Sequence, residues 1–117
     1  MVENIIGKKL VEVIGGIVPV SLYEAETESY PYAVYEMQPE YHRTKDGVYK
    51  ITADVPVTVY GKVYATARDA AEAAEKAVLE GMNGGGFRAA LSSTDERCVE
   101  GVWQLELRFA VTQNVNN

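Results

Sequence analysis

The sequence VYKITADVPVTVY at residues 48–60 alternates between apolar and polar side chains over almost its whole length. Such alternation is typical of a β-strand with one buried side and one side in water. Its 13 residues would span roughly 43 Å at about 3.3 Å each, which exceeds the usual strand of about five or six residues. Pro56 has no N–H to donate, so it marks a bulge or a position where no partner needs that donor. We expect this strand to bend or project, and the other elements to pair with it or cover its apolar side.

A second stretch with the same alternation lies near the end of the chain, at residues 99–113. Residues 87–92 precede it with a strand pattern, and the two stretches predict a last hairpin. The apolar positions of the two alternating strands should face one core; they are Val55, Val57, Val59, Trp103, Leu105, Leu107 and Phe109.

The chain begins with the pattern of an amphipathic helix and then of a short strand. Apolar side chains recur at helical spacing in residues 2–15, and the glycine pair after Ile14 is typical of a helix end. Residues 17–23 form a short strand pattern interrupted by Pro19, which predicts a position at the edge of a sheet. The polar, acidic residues 24–29 are either a solvated connection or a loop that contacts a partner.

Residues 32–38 alternate like a strand and precede the long strand. Residues 39–47 have the composition of a turn, with Asp46-Gly47 at its end. We therefore expect residues 32–60 to form one long, projecting hairpin with a polar, exposed tip.

A stripe rich in alanine at residues 67–82 predicts a second helix, whose small side chains let it lie close to a sheet. Thr66 and Asp69 have the spacing of a capping box at its start, and the glycines of residues 83–86 should end it. The resulting order, α-β-β-β-α-β-β, predicts an α+β fold with one mostly antiparallel sheet and two helices packed on one face. The length of 117 residues fits a single domain over residues 1–117.

Composition excludes several classes of protein. The net charge of −6 argues against a protein that clamps nucleic acid, since such proteins carry a basic surface. No apolar run approaches the roughly 18 residues of a membrane span, and the first residues lack the order of a signal peptide. The single cysteine, Cys98, forbids an internal disulfide and suits a reducing cytoplasm.

No group of residues has the pattern of an enzyme or metal site. His42 is the one histidine, and it falls in the exposed hairpin tip, where no third group is expected to orient it. Arg97 could lower the pKa of the Cys98 thiol, but this position also has the pattern of a loop or strand residue. The glycines of residues 83–86 follow a helix, whereas a phosphate-binding loop follows a strand. We therefore expect no catalytic residues, no cofactor and no metal.

Two groups of residues are candidates for an interface. One is the tip of the long hairpin, with Tyr41, His42, Arg43 and Lys45; the other is the acidic segment, with Glu24, Glu26 and Glu28. Five of the tyrosines could offer stacking surfaces, but few basic residues lie between them. They are better interpreted as half-buried strand residues or as part of an interface; they are Tyr30, Tyr32, Tyr35, Tyr41 and Tyr49.

Several segments together resemble a known family. They are YPYAVYE at residues 30–36, DGVYKITADVPVTVYGK at residues 46–62, the T-x-x-D start of the alanine-rich helix, and VWQLELRFAV at residues 102–111. In this order they resemble the small tail terminator (tail completion) proteins of long-tailed bacteriophages and prophages. The resemblance covers nearly the whole chain and consists of the order of the elements and their residue patterns, without a catalytic motif.

The resemblance implies a non-enzymatic structural protein of the virion tail that is made in the cytoplasm of the bacterial host. It implies a homo-oligomeric ring, typically a hexamer, at the end of the tail tube. Such a ring stops tail growth, joins the tail tube protein to the head connector protein, and lets DNA pass through its bore without specific binding. No membrane is involved.

Alternatives to this hypothesis remain open at the level of the sequence. The chain could be a monomeric α+β domain, a small oligomeric adaptor or binding module outside phage tails, or an enzyme. If DNA passes through a ring, acidic side chains could line the bore, or they could merely keep the protein soluble. The candidates are Glu24, Glu26, Glu28, Asp54 and Glu106.

Overall fold

A computed structural model describes residues 3–22 and 29–115. Two helices pack on one side of a six-stranded sheet, which confirms the predicted α+β class. The elements in chain order are α1 (Glu3–Ile14), β1 (Val20–Leu22), β2 (Tyr32–Tyr35), β3 (Gln38–Thr44), β4 (Gly47–Gly61), α2 (Tyr64–Gly81), β5 (Phe87–Val99) and β6 (Val102–Asn114).

The long alternating strand β4 lies at the centre of the sheet. The strand order is β1-β2-β4-β6-β5, and β3 pairs with β4 on the same side as β2, further along the strand. All pairs are antiparallel except β1 with β2, which are parallel. The two alternating strands pair directly, with Val57 opposite Leu107 and Val59 opposite Leu105. The edge position predicted for the first strand is confirmed.

The core lies between the helices and one side of this sheet. The apolar positions of β4 and β6 are buried there, as the alternation predicted; they are Ile51, Ala53, Val55, Val57, Val59, Leu105, Leu107, Phe109 and Val111. Helix α2 contributes its alanine stripe with Val78, and α1 contributes Ile6, Leu10 and Ile14. Trp103 is partly buried against this core, with its ring centroid 4.7 Å from that of Tyr64.

Two glycines allow the helices to pack closely. A Cβ atom on Gly7 of α1 would lie 2.9 Å from the hydroxyl oxygen of Tyr35 on β2. A Cβ atom on Gly81 of α2 would lie 2.5 Å from Cγ1 of Val13 on α1. The glycine inside the first helix pattern is therefore explained by contact with the sheet, which outweighs its helix-propensity cost of about 1 kcal/mol.

The prediction that residues 39–47 form a turn is wrong. Strand β3 (Gln38–Thr44) contains six of these residues together with Gln38, and the turn is reduced to Lys45 and Asp46. The element order is therefore α-β-β-β-β-α-β-β. The sequence of β3 does not alternate between apolar and polar residues, because most of its side chains are exposed. Its pairing rests on backbone hydrogen bonds to β4 and on Tyr41, which packs against the core.

Two further boundaries differ from the prediction. Strand β5 continues through residues 93–98, which the sequence left unassigned, because β6 pairs with it as far as Val99. A tight turn follows, in which Glu100 and Gly101 both have positive φ values, 52° and 81°. Helix α2 begins at Tyr64, three residues before the predicted start, and its N-cap, Val63, makes no side-chain capping bond. The predicted capping box is therefore wrong.

The sheet makes the described part of the protein long and narrow, with principal extents of 51, 23 and 23 Å. The β3–β4 hairpin ends three residues beyond the last β4–β6 pair, Lys50 with Asn114. The β5–β6 turn projects at the opposite end, beyond the pair of Gly61 with Trp103. The two ends of the sheet thus present two different hairpins.

Candidate interaction surfaces

The end of the β3–β4 hairpin, residues 41–50, is called the hairpin tip below. Tyr41 lies opposite Ile51 on the helix side of the sheet, and the guanidinium carbon of Arg43 is 5.9 Å from the centroid of its ring. His42 lies on the other side, with Nε2 3.1 Å from Oγ1 of Thr52. A β-bulge between His42 and Arg43 shifts the register, and the side chain of Tyr49 is 45% exposed instead of buried.

The hairpin tip carries positive charge in an acidic protein. Arg43, Lys45 and Lys50 are basic, and Asp46 is the one acidic residue among residues 41–50. The structure thus brings together four predicted interface residues, Tyr41, His42, Arg43 and Lys45, on one short strand and its turn. The other predicted group, Glu24, Glu26 and Glu28, lies outside the described residues.

The side of the sheet opposite the helices is called the open face. Near its centre, Pro56 is buried, and Arg108 donates hydrogen bonds to Oδ2 of Asp54 and, at 3.5 Å, to Oε1 of Glu106. Both acids were predicted on this side, and the cross-strand register places them there. The three side chains are between 26% and 42% exposed, so water screens their attraction and each pair adds little to stability. With two acids and one base, this cluster keeps a small excess of negative charge.

Three tyrosines lie in a row at one end of the open face. The rings of Tyr32 and Tyr60 stack with centroids 5.0 Å apart, and the Tyr30 centroid is 5.3 Å from that of Tyr32. Burial, together with the neighbouring Tyr30 and Tyr60, raises the pKa of Tyr32. A cavity of about 240 Å³ lies beside the row, and Val63 at its border is 60% exposed. Exposed apolar and aromatic groups in one place are typical of a contact surface.

A groove runs between α2 and β5 on the helix side of the sheet, with a volume of about 450 Å³. Ala71, Leu105 and Leu107 are buried at its lining. Five acidic residues line it as well; they are Glu72, Glu75, Asp95, Glu96 and Glu106. We call it the α2–β5 groove. The sequence did not predict it, because residues 93–98 were not recognised as the strand that forms its outer wall.

One basic residue, Arg68, organises the border of the α2–β5 groove. It donates from Nε to Oε1 of Glu72 at 2.9 Å and from a terminal N–H to the Tyr64 hydroxyl at 3.0 Å. Its other contact is an ion pair with Glu96 at 3.7 Å, and Tyr64 donates its own hydroxyl proton to Glu96 at 2.9 Å. The hydrogen bonds to Tyr64 and Glu72 raise the pKa of Arg68. This network links the start of α2 to the outer strand.

The described residues contain neither a metal-binding cluster nor a helix that could span a membrane. Among residues 3–22 and 29–115, no group of three or more His, Cys, Asp or Glu side chains could hold a metal ion. No helix in the same ranges is long and apolar enough to cross a membrane. Cys98 is exposed on β5, and the imidazole of His42 contacts a threonine hydroxyl.

The likeness of this chain to known proteins is found at the level of the fold. No protein-family model matches the chain, and no curated protein sequence matches it. Among solved structures, the fold is similar to a chain of the "Virion of native gene transfer agent (GTA) particle", with a TM-score of 0.56 and 18% sequence identity. The match covers 91% of this chain and 84% of that chain. At this identity the likeness shows that the two chains share a fold over nearly their whole length.

Proposed function

We propose that this protein is a structural subunit of a phage-like virion, and that it acts as a tail terminator. In this role, copies of the chain form a ring, a hexamer in the family it resembles, at the end of the tail tube. The observation that carries the proposal is the likeness to a chain of a gene transfer agent virion, which extends over 91% of this chain. The whole chain would act as one domain, without catalytic activity or cofactor.

The open face supports assembly with other subunits. Antiparallel sheets tolerate water on one side, so an uncovered face is by itself ordinary. This face, however, carries the stacked rings of Tyr32 and Tyr60, and it borders the exposed Val63. Tyrosine is enriched in interface cores relative to the rest of a protein surface. A ring would cover these groups with a neighbouring subunit or with the tail tube.

The charge distribution supports passage of DNA rather than binding. A bore must not hold phosphates tightly, because each basic contact releases counterions and adds affinity. The described acids among the proposed bore residues, Asp54 and Glu106, are both paired with Arg108, and the chain carries a net charge of −6. A wall built from such surfaces would be neutral or repelling toward DNA. The ring would join the tail tube protein on one side to the head connector protein on the other.

Deleting the coding sequence from a strain that produces the particles tests this function. We expect filled heads and separate tail tubes of abnormal length, because nothing stops tube growth or joins the tube to the head. Expression of the wild-type chain in trans should restore complete particles. Complete particles with normal tails in the deletion strain would contradict the proposal. Loss of an unrelated activity, with tails intact, would favour the alternative of an adaptor or binding module outside the tail.

A further inference from the structure

The hairpin tip and the α2–β5 groove lie at opposite margins of one sheet. Strand β3, which carries the tip, pairs with β4 on the β2 side, whereas β5 is the strand at the other edge. The tip cannot enter the groove of its own chain, because Lys50 pairs with Asn114, seven residues along β6 from Leu107. Seven residues of strand span roughly 23 Å. A contact between these two surfaces must therefore join two copies head to tail, and such contacts generate rings when the rotation closes.

The two surfaces have opposite charge. In the part of the chain that the structure describes, Arg43, Lys45 and Lys50 of the tip take part in no ion pair. At the groove, Arg68 pairs with Glu72 and Glu96. Glu75 has no cationic partner among the same described residues. The tip carries three bases and one acid, and the groove is lined by five acids and one base, so the two formal charges are opposite in sign.

The two surfaces also suit each other in chemistry. The groove offers the buried leucines Leu105 and Leu107 beneath its acidic border. The tip offers the exposed ring of Tyr49 and the guanidinium of Arg43, held over the ring of Tyr41. Aromatic residues and arginine are the types most enriched where one protein anchors in a pocket of another. The two-residue turn at Lys45 and Asp46 keeps the end of the hairpin narrow.

We infer that the hairpin tip of each copy docks into the α2–β5 groove of the next copy around the ring. This inference rests on the proposed function, since it names the two surfaces that meet between neighbouring subunits. Arg43 and Lys45 would lie against Glu72 and Glu75, and the contact would weaken as salt screens these charges.

A charge-exchange experiment on the whole chain tests this inference. One variant reverses the tip, Arg43→Glu with Lys45→Glu, and a second reverses the groove, Glu72→Lys with Glu75→Lys. A matched control reverses two charges of α1, Lys8→Glu with Lys9→Glu. Self-association is measured by sedimentation velocity over a range of concentrations and at two salt concentrations, and thermal melting checks that each variant folds.

Each tip or groove variant alone should associate about tenfold more weakly than the wild type or worse, because like charges then face each other. An equimolar mixture of the two should associate again. The reversed tip of one variant then fits the reversed groove of the other, and the native tip of the groove variant fits the native groove of the tip variant. The Lys8, Lys9 control should associate like the wild type.

The other outcomes separate this inference from the function on which it rests. Variants that associate as well as the wild type would overturn the inference and leave the ring intact. Loss of association in both variants without recovery in the mixture would show that the tip and the groove contact different partners, and would also overturn it. A wild-type chain that is monomeric at all concentrations would overturn the proposed ring, and the inference with it.

Discussion

Replacing Phe109 with alanine tests the register of the sheet on which every surface above depends. Phe109 is fully buried on β6, opposite Val55 on one side and Leu91 on the other. Truncation of a buried phenylalanine removes its transfer free energy and leaves a cavity, at a cost of about 3–5 kcal/mol. The free energy of unfolding of natural domains is about 5–15 kcal/mol, so this loss is a large share of the total stability.

The assay is urea unfolding at a low, fixed protein concentration, since self-association would add stability to the folded state. The midpoint should fall by at least about 1 M with little change in the m-value. The control is Arg108→Gln on the same strand, which removes partly exposed ion pairs and should cost about 1 kcal/mol or less. A loss below about 0.5 kcal/mol for Phe109→Ala would refute the reasoning, because a shift of one residue exchanges the two sides of a strand.

Three further predictions concern a helix contact, a titration and DNA. Gly81→Ala should lower the melting temperature, because its Cβ would meet Val13, and Val13→Ala should recover part of the loss when combined with it, as read by calorimetry. The pKa of Tyr32 is raised in the folded state, so the unfolded chain loses this proton at a lower pH than the folded one. The stability that this shift contributes should be complete below a pH of about 10 and should decline as the pH rises further. Thermal melts across this pH range should show a smaller decline for Tyr32→Phe than for the wild type. In an electrophoretic shift assay at about 50 mM salt, micromolar protein should leave duplex DNA unretarded; retardation that weakens steeply with salt would replace the passage role with a binding one.

The parts of the fold that the sequence predicted are those with a strong period. Alternation in residues 51–59 and 103–111 identified both central strands and the side that each buries, since one side of the sheet is covered by the helices. The alanine stripe identified α2 and its contact with the sheet. The three residues that β1 contributes and the cross-strand registers depend on long-range pairing, which a local pattern does not contain.

The parts that the sequence missed lack a local signal. The sequence QPEYHRT of β3 and residues 93–98 of β5 do not alternate, because both lie where most side chains are exposed and pairing alone holds them. Helix α2 starts without a capping side chain at Val63, so the search for a capping residue placed its start three residues too late.

The candidate surfaces also differ in whether the sequence carries a local signal for them. The cluster of Arg43 and Lys45 with its aromatic neighbours is a candidate that the sequence alone suggests, because its members are adjacent in sequence. The α2–β5 groove could not be found in this way, because its lining joins residues 68–75 of a helix to residues 94–96 and 105–107 of two later strands.

The mass of the purified protein in solution tests the proposed ring most directly. Size-exclusion chromatography with light scattering, repeated over a range of concentrations, measures that mass without any partner. We predict a closed species at a whole-number multiple of the 12.9 kDa chain, six for a hexamer, or growth toward it with concentration. A mass of one chain at every concentration would contradict the ring.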